Sequence, residues 1–167
     1  MAIKQSWIGR FLDDFEVGDV YQSSVGRTLT DVDNTWFTLI TNNDNQIHFN
    51  TEYAKNAQWG KPLMNSVFTL AVVTGLTVPD VSRNGVNLGW DNVRLPSPVF
   101  AGDTIWAETE VTSVRESKSD NRRGIVGIHT RGVNQDGVIV IEFDRSILVF
   151  KKEHAPQNDT FPSVKTS

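Results

Sequence analysis

The chain has 167 residues, 38% of them hydrophobic and 22% charged, enough for one globular domain with its own core and too few for two. Sixteen Lys plus Arg against twenty Asp plus Glu leave a formal charge of -4, the wrong sign for binding by phosphate neutralisation, so no nucleic-acid partner is expected. The absence of cysteine excludes disulfides and thiolate zinc sites, and three scattered histidines argue against any protein-held metal. No run approaches the ~20 apolar residues of a membrane span, and the start MAIKQSWIGRFLDDFE has acids where a secretory leader needs its apolar run. A cytoplasmic protein without membrane contact is expected.

A strand is expected over residues 20–27, after which residues 30–78 read as helical and 86–150 as extended. Thr30-Asp31-Val32-Asp33 has the spacing of a capping box, with Asp in place of Glu, ahead of Trp36, Phe37, Leu39 and Ile40. The helix it opens is expected to run out in Thr41-Asn42-Asn43-Asp44-Asn45. Thr51 opens a short second helix, Glu52 to Ala57, stopped by Trp59-Gly60-Lys61-Pro62. Leu63 to Val78 is the most apolar segment, and Val67, Leu70, Ala71, Val73 and Leu76 cover more than one helical face. Such a helix is expected to be wrapped by other structure. Trp36, Phe37, Trp59 and Phe68 read as core residues near these helices.

Val86 to Leu95, Thr104 to Glu116, Arg123 to Asn134 and Val138 to Phe150 are long extended runs separated by Pro, Gly, Asp and Asn. Asn134-Gln135-Asp136-Gly137 joins the last two as a hairpin. The expected architecture is α+β: one long curved antiparallel sheet wrapped around a central apolar helix. Trp90 and Trp106 lie on strands with one buried face, and His129 is placed half-buried or at an interface. The domain is expected to cover residues 1–152, with a poorly ordered tail over 153–167 that contains His154.

With these elements in order, the sequence resembles the MaoC-like dehydratase family over about residues 11–152. The resemblance is carried by Phe11-Leu12-Asp13-Asp14-Phe15-Glu16-Val17-Gly18-Asp19, Gly26-Arg27-Thr28-Leu29-Thr30, Asn45-Gln46-Ile47-His48-Phe49, Gly60-Lys61-Pro62-Leu63-Met64-Asn65-Ser66 and Pro98-Val99-Phe100-Ala101-Gly102-Asp103-Thr104. Asn87-Leu88-Gly89-Trp90-Asp91, and Arg115-Glu116-Ser117-Lys118-Ser119 with Arg123-Gly124-Ile125-Val126, look like the branch containing mesaconyl-CoA (β-methylmalyl-CoA) hydratases. The resemblance implies a single hot-dog domain, an enoyl-CoA hydratase or 3-hydroxyacyl-CoA dehydratase activity, and a homodimer whose active site lies between subunits. It implies no cofactor, since coenzyme A is part of the substrate.

Hydration of an enoyl thioester needs a base for the water, a proton for the α-carbon and donors for the oxygen where charge develops. His48 is the candidate for proton transfer, although a histidine in a helix-capping loop is the plainer reading. The family's aspartate, five residues before the histidine, is Asn43 here. An asparagine cannot take a proton but its amide oxygen can orient a water; a one-residue slip would make Asp44 the base instead, and a polar helix-ending turn also accounts for residues 42–45. Ser66 falls where the family has a glycine whose N–H faces the thioester carbonyl, with Asn65 before it, and either could instead cap a helix that starts later than Leu63.

Thr74 could hydrogen-bond the catalytic pair or back-bond to its own helix. The coenzyme's phosphates call for basic residues, for which Arg122 and Arg123 with Lys118 are candidates unless their loop is merely solvated. A dicarboxylic acyl group calls for a buried arginine, with Arg27 and Arg94 as candidates unless they form structural ion pairs. Two alternatives stay open beside the hydratase: a non-catalytic acyl-CoA-binding module on the same fold, and a hot-dog acyl-CoA thioesterase, which would need a carboxylate aimed at the carbonyl.

Overall fold

Alternation of core and solvent side chains along four long strands organises the molecule. The computed structural model describes residues 2, 4 and 6–156. Among these, β1 (Val20–Gln22), β2 (Arg27–Thr28), β3 (Gly85–Arg94), β4 (Thr104–Glu116), β5 (Arg123–Asn134) and β6 (Ile139–Phe150) form one antiparallel sheet in the order β1-β4-β5-β6-β3, with β2 also on β4. The β5–β6 hairpin closes as expected: Gly137 takes φ 76° and Asn134 Oδ1 accepts the N–H groups of Asp136 and Val138 at 3.0 and 2.9 Å. The strand expected over 20–27 is broken in two. Ser23 exchanges hydrogen bonds with the backbone of Ala107, and the Trp106 indole packs against Gly26, leaving no room there for a side chain.

Three helices precede β3: α1 (Asp31–Ile40), α2 (Thr51–Lys55) and α3 (Ser66–Thr77). The capping box at α1 is present, with Thr30 Oγ1 accepting from Asp33 N–H at 3.2 Å and Asp33 Oδ2 accepting from Thr30 N–H at 3.0 Å. The inward face of α1 reverses expectation. Asn34 and Thr38 are buried, whereas Val32, Trp36, Leu39 and Ile40 are exposed, so Trp36 is not a core residue in the single chain. Trp59 is likewise exposed, not a core residue, and meets Phe100 edge-on; Phe68 is buried and Phe37 packs beside it. α2 opens at Thr51 with Asn50 as its cap, and it ends at Lys55, two residues before the expected Ala57.

The central helix starts at Ser66, not Leu63, because residues 63 and 64 are tied to other segments. Leu63 N–H bonds Ile47 O and Met64 N–H bonds Val99 O, after which Asn65 caps the helix with Oδ1 on the N–H groups of Val67 and Phe68. Beyond Thr77 the chain widens into a π-type turn, Val78–Ser82, containing Pro79. The sheet covers one side of α3: Phe68, Val72 and Val73 join Leu29, Met64, Val99, Ile105, Ala107, Val140, Ile141 and Phe143, while a second cluster around Val81, Val111, Val126, Ile128, Ile147 and Val149 fills the far end. This is the hot-dog arrangement. The stripe Val67, Ala71, Gly75 and Val78 faces outward from the single chain.

Helix and sheet pack tightly at Gly132, where an added Cβ would lie 2.7 Å from Cγ2 of both Val73 and Ile141. Gly132→Ala is expected to destabilise the protein by about 1–3 kcal/mol through overpacking, read as a lower urea midpoint with an unchanged m-value. Of the tail expected from Glu153, residues 157–167 lie outside the described residues, and Lys152–His154 forms one 3-10 turn. No helix among the described residues is long and apolar enough to cross a membrane, and none of their His, Asp or Glu side chains group as a metal site.

Candidate active site

Between α1 and α2 the chain makes a left-handed step at Asn42 (φ 54°) and a single 3-10 turn, Gln46–His48, that brings the imidazole of His48 inside. His48 is 9% exposed and its Nδ1 lies 2.9 Å from Leu63 O. A carbonyl oxygen can only accept, so Nδ1 carries the proton and the neutral ring presents Nε2 as its free base.

One buried side chain fixes this arrangement. Asn34 Nδ2 donates to His48 O at 2.7 Å and to Leu63 O at 3.0 Å, while its Oδ1 accepts Asn65 N–H at 2.8 Å. The amide thus joins the histidine turn to the cap of α3. Asn65 adds a bond from Nδ2 to Thr38 Oγ1 at 3.4 Å. With Asn65 capping Val67 and Phe68, the N–H of Ser66 at the first helical position is left for an incoming oxygen, at the positive end of α3. The structure therefore brings His48, Asn65 and Ser66 to one corner, with a proton acceptor and an N–H donor there.

Asn43 lies half-buried in the same loop; its Oδ1 accepts Asn45 N–H at 3.0 Å and its own N–H bonds Thr38 O. Because an amide oxygen has two lone pairs, it can still accept from a water. Asp44 is exposed beside it.

The model of the MaoC like domain matches residues 14–133. The chain belongs to this family. It is 31% identical over 154 residues to a β-methylmalyl-CoA dehydratase of Chloroflexus aurantiacus, covering 91% of this chain and 44% of that protein, and 32% identical over 148 residues to a mesaconyl-CoA hydratase of Cereibacter sphaeroides, covering 88% and 43%. The chain thus spans less than half the length of these curated relatives. Among solved structures, a putative MaoC domain protein dehydratase from Chloroflexus aurantiacus superposes with TM-score 0.84 at 29% identity, covering 97% of this chain and 46% of that one. A Mycobacterium tuberculosis protein described as having a double hot-dog fold matches in fold, with TM-score 0.77 at 20% identity, over 93% of this chain and 47% of its own.

The remaining candidates are dispersed over this MaoC-like chain. Thr74 meets Trp90, whose Nε1 donates to its Oγ1 at 3.4 Å, and it is Thr69 and Thr77 that back-bond within α3. Arg27 is exposed and paired with Asp33 at 2.6 Å. Arg94 is exposed at the end of β3, in register with Glu142, toward the end of the sheet under the start of α3. Arg122 and Arg123 sit at the opposite end. Arg122 is held by both oxygens of Asp120, whose pKa falls to about 2 through side-chain and backbone hydrogen bonds from Arg122, and Arg123 stacks on Phe150 at 4.1 Å. Nine residues of β6 separate Phe150 from Ile141, about 30 Å of strand, so this pair does not share the His48 corner within one chain. His129 is half-buried on the outer face, bonded through Nδ1 to Asp144 at 2.8 Å.

Two residues escaped the sequence reading. Asn34 looks like an ordinary helix position, and only its burial reveals the role. Arg145 is 2% exposed on the inner face of β6 between Phe143 and Ile147. Its signal was legible: parity two with those core residues places it inward.

Proposed function

We propose that the protein is an enoyl-CoA hydratase, adding water reversibly to an enoyl-CoA thioester, including a branched dicarboxylic one of the mesaconyl type, and that it does so as a cytoplasmic homodimer. The observation that carries this is the His48 corner: an imidazole whose Nδ1 is held by Leu63 O, leaving Nε2 as its free base, in a turn that Asn34 ties to the cap of α3, where the N–H of Ser66 is uncapped. His48 Nε2 takes a proton from water as the hydroxide adds to the β-carbon. The electron pair moves to the thioester oxygen, where the Ser66 N–H and the helix dipole stabilise it. The imidazolium then returns the proton to the α-carbon, so the elements of water are added and nothing else is consumed. Asn43 positions the water. His48, Asn43 and Ser66 form the catalytic set in this reading, with Asn65 and Asp44 at its edge and coenzyme A as part of the substrate.

Loss of absorbance of the conjugated thioester on adding the protein to crotonyl-CoA or mesaconyl-CoA tests the reading. Release of free thiol without loss of the double bond would favour a thioesterase, and no reaction with either thioester would favour a binding module.

The homodimer rests on what the single chain leaves open. β3 is an edge strand carrying exposed Val86, Leu88, Trp90 and Val93, with exposed Leu95 just after it, and the outward stripe of α3 is apolar. A second copy joined along β3 covers both, and it pairs two hot-dog units in two chains, as the Mycobacterium tuberculosis protein with a double hot-dog fold has in one. Light scattering at micromolar concentration is expected to give twice the chain mass; a clean monomer would refute the assembly.

A further inference from the structure

Arg145 is buried without the carboxylate partner such a charge usually has. One guanidinium nitrogen reaches Thr77 Oγ1 at 3.3 Å, Nε has no hydrogen-bond partner among the described residues, and no carboxylate pairs with it. Burial alone draws its pKa down to about 10, which leaves it charged at neutral pH. The C-terminal end of α3 above it favours a cation and helps to hold the charge in place, but an unpaired buried charge is expensive to keep in a core that a Leu or Met would fill. Its neighbours are also polar. Trp90, its register partner on β3, reaches over to Thr74 of α3, and Asn87, one step along the same inner face, has a buried Oδ1 without a partner. Turned over, the Asn87 amide presents a donor instead.

We infer that Arg145, with Thr77 and Asn87, is the anchor for the distal carboxylate of a dicarboxylic acyl-CoA, and that it serves the active site of the partner copy. This rests on the hydratase reading and names the residue that selects its substrate class. The guanidinium fork suits a carboxylate, which would supply the acceptors Nε lacks. The assignment to the partner's site comes from length. Eleven residues of α3, about 16 Å at 1.5 Å per residue, separate Ser66 from Thr77. A four-carbon diacid backbone with a hydrogen bond at each end falls short of that. Two copies joined along β3 by a two-fold axis perpendicular to the sheet run their α3 helices antiparallel. The C-terminal half of each helix then lies alongside the start of the other, and Arg145 lies one strand in from the seam, beneath Trp90 of the edge strand.

The test compares kcat/KM for mesaconyl-CoA and crotonyl-CoA. In Arg145→Met the mesaconyl to crotonyl ratio is expected to fall by about 10²-fold, and in Arg145→Lys, which keeps the charge but loses the fork, by less. An unchanged ratio in either variant, or equal loss on both substrates, overturns the anchor; should the Met variant fail to fold, the Lys variant decides. A mixed dimer of His48→Ala and Arg145→Met chains tests the assignment to the partner's site. It contains one site with both residues intact only if they come from different chains, so recovered mesaconyl-CoA hydration is expected and its absence overturns sharing between copies. If the unaltered protein hydrates neither thioester, it is the hydratase reading that fails. Calorimetric titration then decides on the anchor: tighter binding of mesaconyl-CoA than of crotonyl-CoA that is lost in Arg145→Met upholds it, and equal affinities overturn it.

Discussion

His48→Ala is expected to lower kcat/KM for crotonyl-CoA by ~10²- to 10⁴-fold, the usual effect of losing a general acid or base, while the protein still unfolds cooperatively. The ring lies in a one-turn loop and makes one hydrogen bond, to a Leu63 carbonyl that keeps its bond from Asn34, so little stability goes with it. The neighbours separate proton transfer from positioning. Asn43→Ala is expected to cost less than His48→Ala but more than Asp44→Ala, because an amide that orients water works only through the base. Loss in Asp44→Ala equal to that in His48→Ala, with cooperative melting retained, would make Asp44 the carboxylate partner. Full activity in His48→Ala would remove the hydratase mechanism and leave the binding module or the thioesterase.

The legible part of the fold was whatever repeats along the chain. Long extended runs between turn residues marked β3 to β6, and apolarity on more than one face marked α3. The boundaries went astray where a single tertiary contact overrides a local preference: Trp106 against Gly26 divides the first strand, and bonds from Leu63 and Met64 to distant carbonyls delay α3 to Ser66. α1 is the instructive case. Its capping box and the apolar residues that follow identified a helix, but apolar residues in a helix do not say by themselves which face turns inward. The faces are assigned by what each meets, and within one chain the buried face meets the backbone of the His48 turn and the α3 cap, which call for Asn34 and Thr38. The apolar stripe of α1 remains outside.

The site was legible in the same measure. His48, Asn65 and Ser66 came from short motifs and do converge in space. A buried arginine was sought at Arg27 and Arg94, near motif residues, but both are exposed; the buried arginine is Arg145, which the inward parity of β6 marks.

Asn34→Ala is expected to be the most damaging substitution outside the catalytic set, lowering stability by about 3 kcal/mol and activity with it. Truncation leaves His48 O and Asn65 N–H unpaired at a buried position, each costing about 1–3 kcal/mol when water cannot replace the partner; Leu63 O retains His48 Nδ1. The loss also frees the turn that carries the base from the helix start that carries the oxyanion donor, so kcat is expected to drop more than KM rises. Asn34→Asp sharpens the test, since a carboxylate can still accept from Asn65 N–H but faces the His48 and Leu63 carbonyls with no proton to donate. It is expected to be less stable than Asn34→Ala at neutral pH. As the pH falls and the buried acid regains a proton, one of the two bonds can re-form, so the gap should narrow. Urea unfolding of both variants at two pH values, beside their crotonyl-CoA kinetics, checks this. Equal stability of Asn34→Ala and the unaltered protein would mean that the network does not hold the site together.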